Sequence, residues 1–125
     1  MELSEADLVW NRAAMDAGGP AARDGDRALA AMLRVHGMVC NGGFDHMLDV
    51  LSPAEVAAGA DGFRYFGLDN VAALVTKASG ADEAELDDLD AHYAELIPMD
   101  SVLVHRFEAV FSSARAGFAP VDGAG

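Results

Sequence analysis

Three groups of side chains in this sequence have the types and spacing to do chemistry. His36 and Cys40 lie four residues apart, which on a helix sets a base beside a thiol, the pairing a cysteine nucleophile needs. Leu29, Met32 and Leu33 would share that face, and no orienting group stands nearby in sequence. Core packing is the commoner fate of such a cysteine. Asp45, His46 and Asp49 form the second group, and Asp88, His92 and Glu95, at i, i+4 and i+7, the third. Carboxylate with imidazole is a usable metal-ligand set. Neither cluster comes with a His-Glu-x-x-His helix, a Cys pair or a calcium-loop pattern, and accidental spacings are expected in a chain so rich in acids. No catalytic residue, metal ligand or cofactor is assigned.

The segment 82–100 is more unusual. It holds Asp82, Glu83, Glu85, Asp87, Asp88, Asp90, Glu95 and Asp100 with no Lys or Arg among them. On a helix, Glu83, Asp87 and Asp90 form one stripe and Glu85, Asp88 and Glu95 another, flanking the apolar Leu86, Leu89 and Tyr93. Like charges at i and i+4 each cost roughly a few tenths of a kcal/mol. Acids in a first turn complement the helix dipole, and net charge aids solubility. Neither effect calls for so long a run without a cation.

The whole chain carries 21 Asp and Glu against 8 Lys and Arg, a formal charge of −13. That excess argues against gripping nucleic acid or an anionic membrane, which takes clustered cations. Lys77 is the only lysine, and the arginines are scattered. Gly42-Gly43 is too short for a phosphate cradle and no Lys follows it. Gly67-Leu68-Asp69-Asn70-Val71 resembles the prosthetic-group site of acyl carrier proteins, but Asn70 stands where the modified serine belongs.

Hydrophobic residues make up 52% of the 125 and charged residues 23%, the balance of a folded domain and not of a disordered acidic chain. The length suits one domain that needs no metal or disulfide staple. A single cysteine, Cys40, fits a reducing compartment. The acidic start offers no basic n-region, and no apolar stretch nears the ~20 residues of a membrane span. A cytoplasmic protein is expected.

Periodicity predicts an all-α fold: a compact bundle of six or seven short helices in a single domain over residues 1–118, with a flexible tail at 119–125. Ser4 with Asp7 caps a first helix over 4–16. A second begins at Asp26, carries Leu29, Met32, Leu33, His36 and Cys40 on one face, and stops or bends at Gly42-Gly43. Phe44, Met47, Leu48 and Leu51 continue the stripe. Ser52-Pro53-Ala54-Glu55 is a strong helix start, and Gly67 ends that helix. Asp69 or Asn70 caps the next, before a helix over 82–96. Asp100 or Ser101 caps the last, which carries Leu103, Phe107, Val110 and Phe111.

Val39-Cys40-Asn41-Gly42-Gly43-Phe44 with Leu48 resembles the Asn-Gly-Gly-Phe signature of the DMP-type DNA-mimic protein family. The later Phe66-Gly67-Leu68 turn, the helix over 72–78, and Leu86, Leu89, Asp90 and Tyr93 followed by Leu103 and Phe107 continue the resemblance in order. It covers about residues 28–118. Much of that family is a domain of unknown function. Its characterised type is an acidic helical dimer that imitates the DNA phosphate surface on a transcriptional regulator.

The resemblance implies a non-enzymatic, protein-binding role toward a basic DNA-binding protein, a regulator or nuclease, and a homodimer. It supplies no catalytic residue. Asn41, Gly42, Gly43 and Phe44 are read as serving the fold, with the glycines making a tight bend and Phe44 anchoring the next helix. The acids expected to face the partner are Glu83, Glu85, Asp87, Asp88 and Asp90, joined by Asp45, Asp49 and Asp61. The alternative is an immunity-like or scaffolding domain that binds through an apolar patch of Trp10, Tyr65 and Phe66.

Overall fold

The computed structural model describes residues 3–121. It contains six α-helices: α1 (Glu5–Asp16), α2 (Asp24–Val50), α3 (Pro53–Tyr65), α4 (Asp69–Ala78), α5 (Glu83–Leu96) and α6 (Ser101–Ser113). A 3-10 turn over Arg115–Gly117 follows, and there is no strand among the described residues. The all-α expectation holds.

The helix starts explain why the chain folds locally as it does. Ser4 and Asp7 exchange reciprocal bonds, Asp7 N to Ser4 Oγ at 3.1 Å and Ser4 N to Asp7 Oδ2 at 3.0 Å. Ser52 and Glu55 do the same at the head of α3, with Pro53 opening the helix. The Ser52 amide, then Arg34, hold the Glu55 carboxyl below its ordinary range. That stabilising effect is present at neutral pH and is lost as the pH falls through the lowered value.

Two expected caps are corrected. Leu68 occupies the cap position of α4 without a side-chain bond, and Asp69 is already the first helical residue, where its charge suits the dipole. Asp100 holds the cap position of α6 but, with its backbone in helical geometry, makes no side-chain capping bond, and its Oδ1 meets His36 instead.

The core is built around α2, which packs on α1, α3 and α5. Gly59 and Gly62 of α3 let the two backbones approach, since a Cβ at either would collide with Val35 or with the Ala28 carbonyl of α2. Phe44, Phe63, Phe66, Phe107 and Phe118 are fully buried. Phe118 meets Phe66, Phe107 and Phe111 at ring separations of 6.4, 5.7 and 5.2 Å, so the last residues complete the core.

The C-terminal segment is held by a buried charge. Asp26 is fully buried and accepts from Arg12 Nη2 at 2.8 Å, the Arg23 amide at 3.0 Å and the Ala119 amide at 2.8 Å. Arg12 also donates to the Ala119 and Pro120 carbonyls. The flexible tail expected from 119 onward is therefore corrected: Ala119 is buried and Pro120 tied down, while residues 122–125 lie outside the described residues. Removing one member of a buried pair leaves the other charge uncompensated. Asp26→Ala should cost about 3–5 kcal/mol, read as a lower urea midpoint with an unchanged slope.

Candidate functional site

Helix α5 begins with Asp82 as its cap, whose Oδ1 accepts from the Glu85 amide at 2.9 Å. Leu86 and Tyr93 turn inward and are buried, while Glu83, Glu85, Asp87 and Asp88 are exposed. None of these four acids forms an ion pair among the described residues.

The cations available to neutralise them are committed elsewhere. Arg12 pairs with Asp26, Arg27 with Asp24, Arg34 with Glu55, Arg64 with Asp61 and Arg115 with Glu5. Arg23 donates to the Ala116 carbonyl and Arg106 to the Phe66 carbonyl. Lys77 sits in the last turn of α4, where a cation suits the helix end. Neither 35–63 nor 78–105 contains a Lys or Arg.

These two cation-free segments are joined at the bend in α2. Gly42 (φ −159°, ψ 18°) and Gly43 (φ 77°, ψ −177°) leave helical geometry there. The Phe44 amide, freed by the bend, donates to Asp90 Oδ1 of α5 at 2.8 Å. A Cβ on Gly43 would lie 2.7 Å from Asp90 Oδ2, and its positive φ favours glycine independently. The bend expected from Gly42-Gly43 is thus present, and Phe44 is anchored in the core, edge-on to Tyr93 with ring centroids 5.6 Å apart. Asn41 does not cap the bend. Its side chain lies 3.4 Å from His46 Nε2.

The eight acids expected to face a partner therefore divide by position. Glu83, Glu85, Asp87 and Asp88 stand free on α5, and Asp45 and Asp49 stand exposed just past the bend. Asp90 is partly buried and bonded to the Phe44 amide, and Asp61 is paired with Arg64 at 2.9 Å.

His36 turns out to have the orienting groups that sequence proximity did not reveal. Its Nδ1 lies 2.6 Å from the Tyr93 hydroxyl and its Nε2 2.8 Å from Asp100 Oδ1. Burial, with Cys40 and Asp100 nearby, pushes the Tyr93 phenol far up, so it remains a donor. A carboxylate only accepts, which assigns the proton of the neutral ring to Nε2. Cys40 Sγ lies 3.5 Å from Nε2 and 3.7 Å from Nδ1, but both nitrogens already have partners. Burial, then the Asp100 charge, raises the thiol, the reverse of the activation a nucleophile needs. The group links α2, α5 and the start of α6. Among the described residues, this group included, no three His, Cys, Asp or Glu side chains converge on a point that could hold a metal, and no helix is long and apolar enough to cross a membrane.

The family profile described as DMP19-like protein matches residues 21–114. The chain belongs to the DMP19-like family. No curated protein and no solved structure matches it. The matched span of this DMP19-like chain contains the bend, its Asp90 partner, all of α5 and the His36 group, but leaves out the whole of α1 and the Phe118–Pro120 clasp.

Sequence reasoning missed the links of Asp90 to Phe44 and of Asp100 to His36. A signal existed for each: a glycine bend frees a backbone amide that needs an acceptor, and a buried imidazole needs two partners. Neither names the acceptor. If Asp90 acts as a hydrogen-bond acceptor, Asp90→Ala should lose about 1.5–3 kcal/mol of stability. Asp90→Asn, which keeps a carbonyl oxygen, should lose much less. Equal losses in chemical denaturation would show that only the charge mattered.

Proposed function

We propose that this DMP19-like chain is a non-enzymatic interaction domain whose α5 acids imitate a run of phosphates. The partner is a basic DNA-binding protein, a regulator or nuclease, whose DNA-binding surface the acids occupy. The observation that carries this reading is the division of charge. Every arginine is tied to a partner within the fold, while Glu83, Glu85, Asp87 and Asp88 are exposed and unpaired. A basic groove can release its counterions to such a surface as it does to DNA.

Family membership supports the same reading, as does the rigidity of the platform. The bond between Asp90 and the Phe44 amide ties α5 to α2, and Leu86 and Tyr93 seat it in the core. Charges carried on a preformed helix give electrostatic complementarity without the cost of ordering the backbone. The proposed setting is the cytoplasm, and the proposed assembly a homodimer, as in the characterised family type.

Of the apolar-patch alternative, Phe66 is lost because it is fully buried, while Tyr65 remains exposed beside it at a ring separation of 5.1 Å and Trp10 is half-buried against Phe107 at 5.6 Å.

The test is a fourfold neutralisation, Glu83→Gln, Glu85→Gln, Asp87→Asn and Asp88→Asn. These positions are exposed, so each should shift stability by no more than about 0.5 kcal/mol. Binding to a DNA-binding protein captured from source lysate should weaken by about tenfold or more, at 1.4 kcal/mol per tenfold. Full retention of binding by the folded variant contradicts the proposal.

A further inference from the structure

Helices α1 and α2 and the start of α6 leave an open groove of about 720 Å³ between them. Trp10, Ala13, Leu33, Met38 and Leu103 line it, and Met15, 85% exposed, stands at its edge.

One residue of this groove has no explanation inside the chain. Gly37 lies in the regular part of α2, where glycine is less favourable than alanine. The other glycines within regular helix, Gly25, Gly59 and Gly62, each face an atom that a Cβ would strike. At Gly37 a Cβ would meet nothing within 4 Å. The fold does not use the space that this glycine leaves open, and that space opens into the groove.

The rim carries uncompensated negative charge. Asp16 ends α1, the unfavourable end for an acid, with no basic residue in that turn and no ion pair among the described residues. Asp100 also lines the groove, with its side chain 82% exposed and one oxygen on His36. The one cation there, Arg34, is drawn to Glu55 at 2.8 Å. Cations brought to this rim by a partner would complement Asp16 and Asp100.

We propose that this groove docks an amphipathic helix of a basic partner. The helix lays its apolar face against Trp10, Leu33 and Met38, crosses closely at Gly37, and sets its cations over Asp16 and Asp100. This is helix-in-groove recognition, with charge choosing the occupant. It uses none of the α5 acids and does not depend on the function proposed above.

Trp10 is the only tryptophan, so its emission reports occupancy directly. The probes are two synthetic helical peptides with the same leucine face, one flanked by lysines and the other by glutamates. The lysine peptide should give a saturable change in Trp10 emission and bind about tenfold or more tighter than its counterpart. Gly37→Leu, which fills the groove, should abolish the change. Met15→Lys and Asp16→Lys, both at exposed positions that leave the core untouched, should weaken it about tenfold. Gly37→Ala should raise the melting temperature, because it meets no neighbour. Equal binding of both peptides, or no effect of either lysine substitution, overturns the proposal. A concentration-dependent dimer in light scattering that Gly37→Leu dissolves would make the occupant a second copy and also overturn it.

Discussion

The hydrogen bond from the Phe44 amide to Asp90 is the interaction on which the arrangement of this molecule turns. A helix that bends at Gly42-Gly43 exposes backbone donors, and a buried donor without an acceptor is costly. The acceptor comes from α5, so the bend in one helix fixes the position of another. A Cβ at Gly43 would fall 2.7 Å from Asp90 Oδ2, so any side chain there would displace the carboxylate that the Phe44 amide bonds. The residues that look like a signature in the sequence are therefore half of a joint, and an acid in the middle of the acidic run is the other half.

The second constraint is electrostatic. A chain with few cations can use them to neutralise its surface or to hold its fold, and this one uses them for the fold. Arg12 reaches the buried Asp26 and the C-terminal carbonyls, Arg106 caps the end of α3 at Phe66, and Arg115 ties α1 to the last turn. What remains uncovered is the outer face of α5 and the exposed acids just beyond the bend. The net charge is thus unevenly distributed by the bonding of the fold itself. Exposed like charges cost helix stability only weakly, so the joint and the core can carry them.

Much of this was legible in the sequence, and the limits have physical causes. Local rules located the capping boxes at Ser4 and Ser52, the bend at Gly42-Gly43 and the span of α5, because each depends on neighbours within one or two turns. The same rules assigned Asp100 to a helix cap, when its carboxylate instead meets His36, 64 residues earlier. They assigned Asp90 to the surface and Ala119 to a free tail, when each is bonded across the fold. A carboxylate has several uses of similar worth, and local sequence does not choose among them. The acids that stayed where the sequence placed them, Glu83, Glu85, Asp87 and Asp88 on α5 with Asp45 and Asp49 past the bend, are those with no long-range partner to find.

The central claim, that the α5 face stands in for DNA, is tested most directly by competition. A regulator or nuclease that binds this chain is first loaded with its own duplex DNA and then titrated with the wild-type protein at several salt concentrations. The account predicts mutually exclusive binding, with DNA released as the protein saturates and an affinity that falls steeply with salt. A ternary complex of regulator, DNA and this protein, or an affinity indifferent to salt, would contradict it.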